Sequence, residues 1–181
     1  IGTLLSADGI IVTNFRNVGN LRYVWVQNSV GQTTDATVVA TDSGTGLALL
    51  KIEGNNLPFV RLGELGSVKV GATVHAIGSG AGLDFSHTTG IVVGLDAPIG
   101  DMNQPRLIQT NISPSPDCVG NPLFDQRGKL VGISASIWNV AEDCSFAVPI
   151  VLAHDLLEKY FSVEKPESGV TSKSEAVLNT K

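Results

Sequence analysis

Few side chains in this sequence can do covalent chemistry. There are two cysteines, Cys118 and Cys144, and three histidines, His75, His87 and His154. A cysteine becomes a nucleophile when a neighbouring base or positive charge holds it as a thiolate. No histidine stands beside either cysteine in the chain. His75 falls within the strand-like run T-V-H-A-I-G, His87 on a loop entering the next run (F-S-H-T-T-G), and His154 in a C-terminal helical segment. Histidines in such settings are more often packing or surface groups than ligands. Asp117 and Cys118, with His87 or His154, offer weak candidate donors for a transition metal, although their spacing matches no zinc signature. Cys118 and Cys144 are too few for a disulfide scaffold. They can form one disulfide in an oxidising compartment or remain two separate buried thiols, and their spacing fits either reading.

The elements that must position these residues are mostly short apolar runs broken by turn residues. Leu4–Leu5, Ile10–Thr13, Arg22–Gln27, Val38–Ala40 and Leu47–Ile52 form a first series. In R-Y-V-W-V-Q, Tyr23 and Trp25 fall on one face and Val24 and Val26 on the other. A polar break at Gly54–Asn56 and Pro58 precedes a second series. It comprises Thr73–Gly78, Thr88–Asp96, Leu107–Thr110, Pro122–Phe124, Leu130–Ile137 and Ser145–Val148. D-Q-R-G at Asp125–Gly128, between two apolar runs, is a hairpin signal. Short strands at this spacing predict an all-β barrel or sandwich. One helix is expected over 150–161, with Pro149 in its first turn and Leu152, Leu156 and Tyr160 on its buried face. From 163 to 181 the chain is polar and poor in aromatics, as a tail or linker would be.

Bulk properties limit the function classes. At 181 residues with 43% hydrophobic content, the chain can bury the core of one generous domain or of two small barrels. A net charge of −5 argues against nucleic acid as the main partner, because phosphate binding needs a concentrated basic surface. No apolar run is long enough for a membrane-spanning helix. The chain opens at Ile1 inside an apolar run, and reads as a fragment whose targeting segment is out of view.

Three segments carry a specific likeness. S-A-D-G-I-I-V-T-N from Ser6, D-S-G-T-G-L-A-L-L-K-I from Asp42, and Q-T-N-I-S-P-S-P-D-C-V-G-N-P-L-F-D-Q-R-G-K-L-V-G-I from Gln109 resemble, in order and spacing, motifs of HtrA/DegP proteases. N-L-P-F-V-R-L-G, V-G-A-T-V-H-A-I-G and Phe146–Pro149 extend the match over roughly 1–161. The resemblance implies a trypsin-like double β-barrel: two six-stranded Greek-key barrels, the first strand missing before Ile1, and a C-terminal α-helix. It divides the chain into barrels at 1–62 and 63–150, the helix, and the tail.

The resemblance also locates the family's catalytic positions, and the residues standing there are wrong for the chemistry. Arg16 occupies the histidine position, Gly46 the aspartate position and Val119 the serine position. Asp117 replaces the oxyanion-hole glycine, where a carboxylate would oppose developing negative charge. The implied protein is a pseudoprotease, a non-enzyme that serves as a protein- or peptide-binding scaffold or regulator. Ile133, Ser134, Ala135 and Ser136 resemble the strand along which such proteases lay an extended peptide. The alternatives are a metal- or small-ligand-binding domain built in the vacated cleft, and a residual serine or cysteine hydrolase. The likeness further implies an extracytoplasmic or organellar location and allows homo-oligomers. No obligate cofactor is implied.

Overall fold

The computed structural model describes residues 1–64, 66–80, 83–97, 107–113, 116–135 and 144–164. The first series of apolar runs forms a five-stranded antiparallel sheet. Its strands are β1 (Gly2–Leu4), β2 (Ile10–Asn14), β3 (Tyr23–Gln27), β4 (Thr33–Asp42) and β5 (Leu47–Ile52), in the order β1-β2-β5-β4-β3. The second series gives β6 (Thr73–Gly80), β7 (Leu83–Ala97), β8 (Leu107–Thr110), β9 (Pro122–Asp125), β10 (Leu130–Ser134) and β11 (Ser145–Pro149). These close into a six-stranded barrel in the order β10-β11-β8-β7-β6-β9. One helix, α1 (Leu152–Glu164), follows.

The hydrophobic pattern of each strand reports how many of its faces are covered. β2 is apolar without alternation and is buried along its whole length. Ile11 packs inside the first sheet with Val18, Ala36, Ala48 and Leu50. Ile10 and Val12 point the other way, into a core shared with Leu130, Ile133, Phe146 and Val148 of the barrel. A strand buried on both sides needs the continuous run that the sequence supplies. β3 alternates as expected, with Tyr23 and Trp25 exposed and Val24 and Val26 half-buried against the first sheet's core. The barrel interior holds a third cluster of Val74, Val92, Ile108, Leu123 and Val131. β7 is longer than its apolar run, and register shifts at Val92/Gly94 and Gly94/Ala97 bend it around the barrel.

The hairpin at Asp125–Gly128 forms as its residues predict. The Asp125 carboxylate accepts from the N–H groups of Arg127 and Lys129, both at 2.9 Å. The helix departs from expectation. Pro149 does not enter its first turn but ends β11, opposite Gly132. Pairing continues one residue further, because Ile150 N–H donates to Val131 C=O at 2.9 Å, and this delays the helix to Leu152. Its buried face is accordingly Ala153, Leu156 and Tyr160, while Leu152 is only half-buried at the border of the shared core. From 165 on, the polar tail lies outside the described residues.

Candidate functional site

Three segments from distant parts of the chain meet where the first sheet abuts the barrel. The first is a 3-10 turn, Phe15–Asn17, at the end of β2. Buried Asn14 caps it, its side-chain oxygen accepting from Arg16 N–H at 2.9 Å. The Arg16 side chain is exposed.

The second segment is the turn between β4 and β5. The Asp42 carboxylate accepts from Gly44 N–H at 2.8 Å and Thr45 N–H at 3.3 Å, and Asp42 C=O accepts from Gly46 N–H at 2.8 Å. Gly46 has φ +73°, a left-handed conformation that a residue with a β-carbon adopts at a cost. Its carbonyl accepts from Phe15 N–H at 2.7 Å, which fixes this turn beside the Arg16 turn.

The third segment runs from a 3-10 turn at Pro116–Cys118 through Val119 and Gly120 to Asn121. Asn17, next to Arg16, donates to Val119 C=O at 3.1 Å and to Thr13 Oγ1 at 2.9 Å, tying the segment to the first sheet. Gly120, at φ +88°, lies so close to this contact that a β-carbon would collide with the Asn17 amide and Ile1 C=O. On the barrel side, Gly120 N–H donates to Ser134 C=O at 3.0 Å and Ser134 N–H to Asn121 C=O at 2.8 Å.

Arg16, Gly46 and Val119 are therefore brought together, each within a residue of a hydrogen bond that joins its segment to another. An arginine guanidinium stays protonated and accepts no proton. Gly46 has no side chain, and Val119 offers only a half-buried isopropyl group. Asp117 is exposed on the adjoining turn. The residues that build the junction, Asn14, Asn17 and Asp42, were not singled out from the sequence. An asparagine that closes the apolar run of β2 and an aspartate two residues before a glycine are the signals the sequence offers.

The other candidate residues scatter. Cys118 and Cys144 are both half-buried thiols and are not joined as a disulfide; Cys144 packs at the border of the shared core. His154 is exposed on α1. His87 stands within β7, not on a loop before it, because the strand begins at Leu83. There it faces His75 of β6. Among the described residues no three of His, Cys, Asp and Glu converge as metal ligands, so Asp117, Cys118, His87 and His154 do not assemble.

The expected peptide-binding edge at Ile133–Ala135 is also largely occupied. Ile133 is fully buried and pairs with Val148 of β11 on one side and Pro122 of β9 on the other. Ser134 is paired opposite Ala147, and its own N–H and C=O bond to Asn121 and Gly120. Ala135 N–H donates to Phe146 C=O at 2.8 Å. Strand addition needs unpaired backbone groups, which Ile133 and Ser134 do not present. Ser136 lies outside the described residues.

A family model described as a trypsin-like peptidase domain matches residues 1–133. A probable periplasmic serine endoprotease, DegP-like, of Pseudomonas putida strain GB-1 is 39% identical over 158 residues, covering 86% of this chain and 33% of that protein. A DegP-like relative from Halomonas elongata is 35% identical over 161 residues, covering 87% of this chain and 34% of that protein. The chain thus spans about a third of the length of these relatives. Among solved structures, the HtrA-type protease AlgW with a decapeptide superposes with a TM-score of 0.80 at 29% identity, over 89% of this chain and 51% of that one. A serine endoprotease from Yersinia pestis gives 0.74 at 30% identity, over 89% of this chain and 57% of that one.

Proposed function

The chain belongs to the trypsin-like peptidase family, on its HtrA-like side, and within it we propose a catalytically silent member that serves as a scaffold for a protein or peptide partner. One observation carries this reading: the junction gathers Arg16, Gly46 and Val119 at the place where three segments meet. Acyl transfer by a serine protease needs a nucleophile, a base that takes its proton, a carboxylate that orients the base, and donors aimed at the oxyanion. Arginine, glycine and valine supply none of the first three. In such enzymes the triad members act as a unit, and losing one already removes most of the rate. Asp117, two residues before Val119, puts a carboxylate-bearing residue at the position that the resemblance gives to an oxyanion-hole glycine.

The positive role rests on what the chain retains. The shared core, the closed barrel and the hydrogen bonds across the junction are those of an ordered fold, and a fold outlasts the chemistry placed on it. One structural neighbour was solved with a decapeptide, and a polypeptide partner for this chain is the corresponding reading. A periplasmic or other extracytoplasmic setting follows from the naming of its relatives. The test is incubation of the full-length protein with fluorescently labelled unfolded casein, read by polarisation and by gel. The reading expects saturable binding and no fragments. Accumulating fragments would defeat the silent assignment, and absence of binding to casein and to a peptide library would defeat the scaffold.

A further inference from the structure

The barrel carries a second cluster of chemically capable side chains on its outer wall. β6 and β7 pair in antiparallel register, with His75 opposite Thr89 and Ile77 opposite His87. His75 and His87 thus project from the same face of adjacent strands, one diagonal step apart. Their rings stack with centroids 5.2 Å apart and planes inclined at 28°. His75 Nδ1 lies 3.1 Å from His87 Nε2 and 3.2 Å from Thr89 Oγ1. His87 and Thr89 are exposed and His75 is half-buried, so the pair is open to solvent.

Two imidazole nitrogens facing each other at this distance can share one proton, or they can share one metal ion. Imidazole binds borderline first-row cations at about 2.0–2.1 Å. A cation at that distance from both nitrogens, with the nitrogens 3.1 Å apart, would subtend an angle of about 100°. That value lies between the right angle of tetragonal coordination and the tetrahedral angle. The two nitrogens now face each other, so each ring has to turn to aim its lone pair at a common ion, while the strands that hold them stay fixed in the closed barrel. The Thr89 hydroxyl and water would complete the shell.

We propose that His75 and His87 form a two-histidine site for a borderline divalent cation of the Ni(II), Cu(II) or Zn(II) class, on the barrel wall and built from neither Asp117 nor Cys118. A metal held there bridges β6 to β7, and a ligand that binds only the folded state stabilises it. Calorimetric titration of the full-length protein with Ni(II), paired with thermal melting, tests the site. Saturable binding and a raised Tm are expected, with affinity weakened at least about tenfold in His75→Gln and in His87→Gln, and unchanged in His154→Gln. Because His87 is exposed, its variant decides the matter even if His75→Gln folds poorly. The proposal is overturned if the native protein shows no saturable binding, if His87→Gln binds as the native protein does, or if His154→Gln weakens binding equally.

Discussion

The junction between sheet and barrel has an interior and a mouth, and the two differ in kind. In the interior, Ile10, Val12, Leu47 and Leu49 from the sheet meet Leu130, Ile133 and Val148 from the barrel with almost no exposed surface. These are large branched side chains of the sort a close-packed core requires. At the mouth, Arg16, Gly46 and Val119 have no shared chemistry at all. The contrast shows that the residues placing a site and the residues acting in it are under separate physical demands. The packing of the interior does not depend on which residues stand at the mouth.

Substitutions on the two sides should widen or erase this contrast. The largest effect is expected in the interior, where Leu130→Ala should cost about 2–5 kcal/mol in urea unfolding through lost burial and the cavity left behind. At the mouth, Gly46→Asp puts a β-carbon on a backbone with φ +73° and should cost roughly 1–2 kcal/mol by the same measurement. Asn17→Ala removes the bonds to Val119 C=O and Thr13 Oγ1, and should cost about 1 kcal/mol. Val119→Ser should leave stability within about 1 kcal/mol, and a casein assay should show no hydrolysis, since a lone hydroxyl lacks a base. Smallest of all is the exposed Glu64–Lys129 pair at 2.9 Å. Lys129→Ala should leave the unfolding midpoint at neutral pH unchanged within error.

The sign of the pH effect at that pair follows from its cause. The hydrogen bond from Lys129, and then its charge, hold Glu64 below the usual carboxylate range. Any contribution is present above the ordinary glutamate pKa and is lost as pH falls through the lowered one. In native protein and Lys129→Ala alike, stability curves from neutral to acid pH should nearly overlap.

Much of the fold was legible because strand patterns state their burial directly. The unbroken I-I-V-T of β2 and L-A-L-L of β5 indicate strands covered on both faces, and both are. V-P-I at 148–150 misled, since proline before an amphipathic run suggests a helix start, whereas the long-range bond from Ile150 to Val131 keeps the chain extended. Arg16, Gly46 and Val119 stand in three collinear motifs, and the segments that carry them are joined by hydrogen bonds. The two 3-10 turns carrying Arg16 and Asp117 were not legible, being too short to leave a periodic signal. Nor was the His75–His87 pair, because their meeting depends on the register between β6 and β7. Register is fixed by the whole barrel, and two isolated histidines twelve residues apart do not announce it.

The central claim is that the mouth of the junction holds no activated nucleophile. A fluorophosphonate probe incubated with the native full-length protein, beside an active HtrA-type protease, measures this directly by intact mass. The account predicts quantitative labelling of the active enzyme and no adduct on this protein. A stoichiometric adduct on this protein that disappears on denaturation before labelling would contradict it.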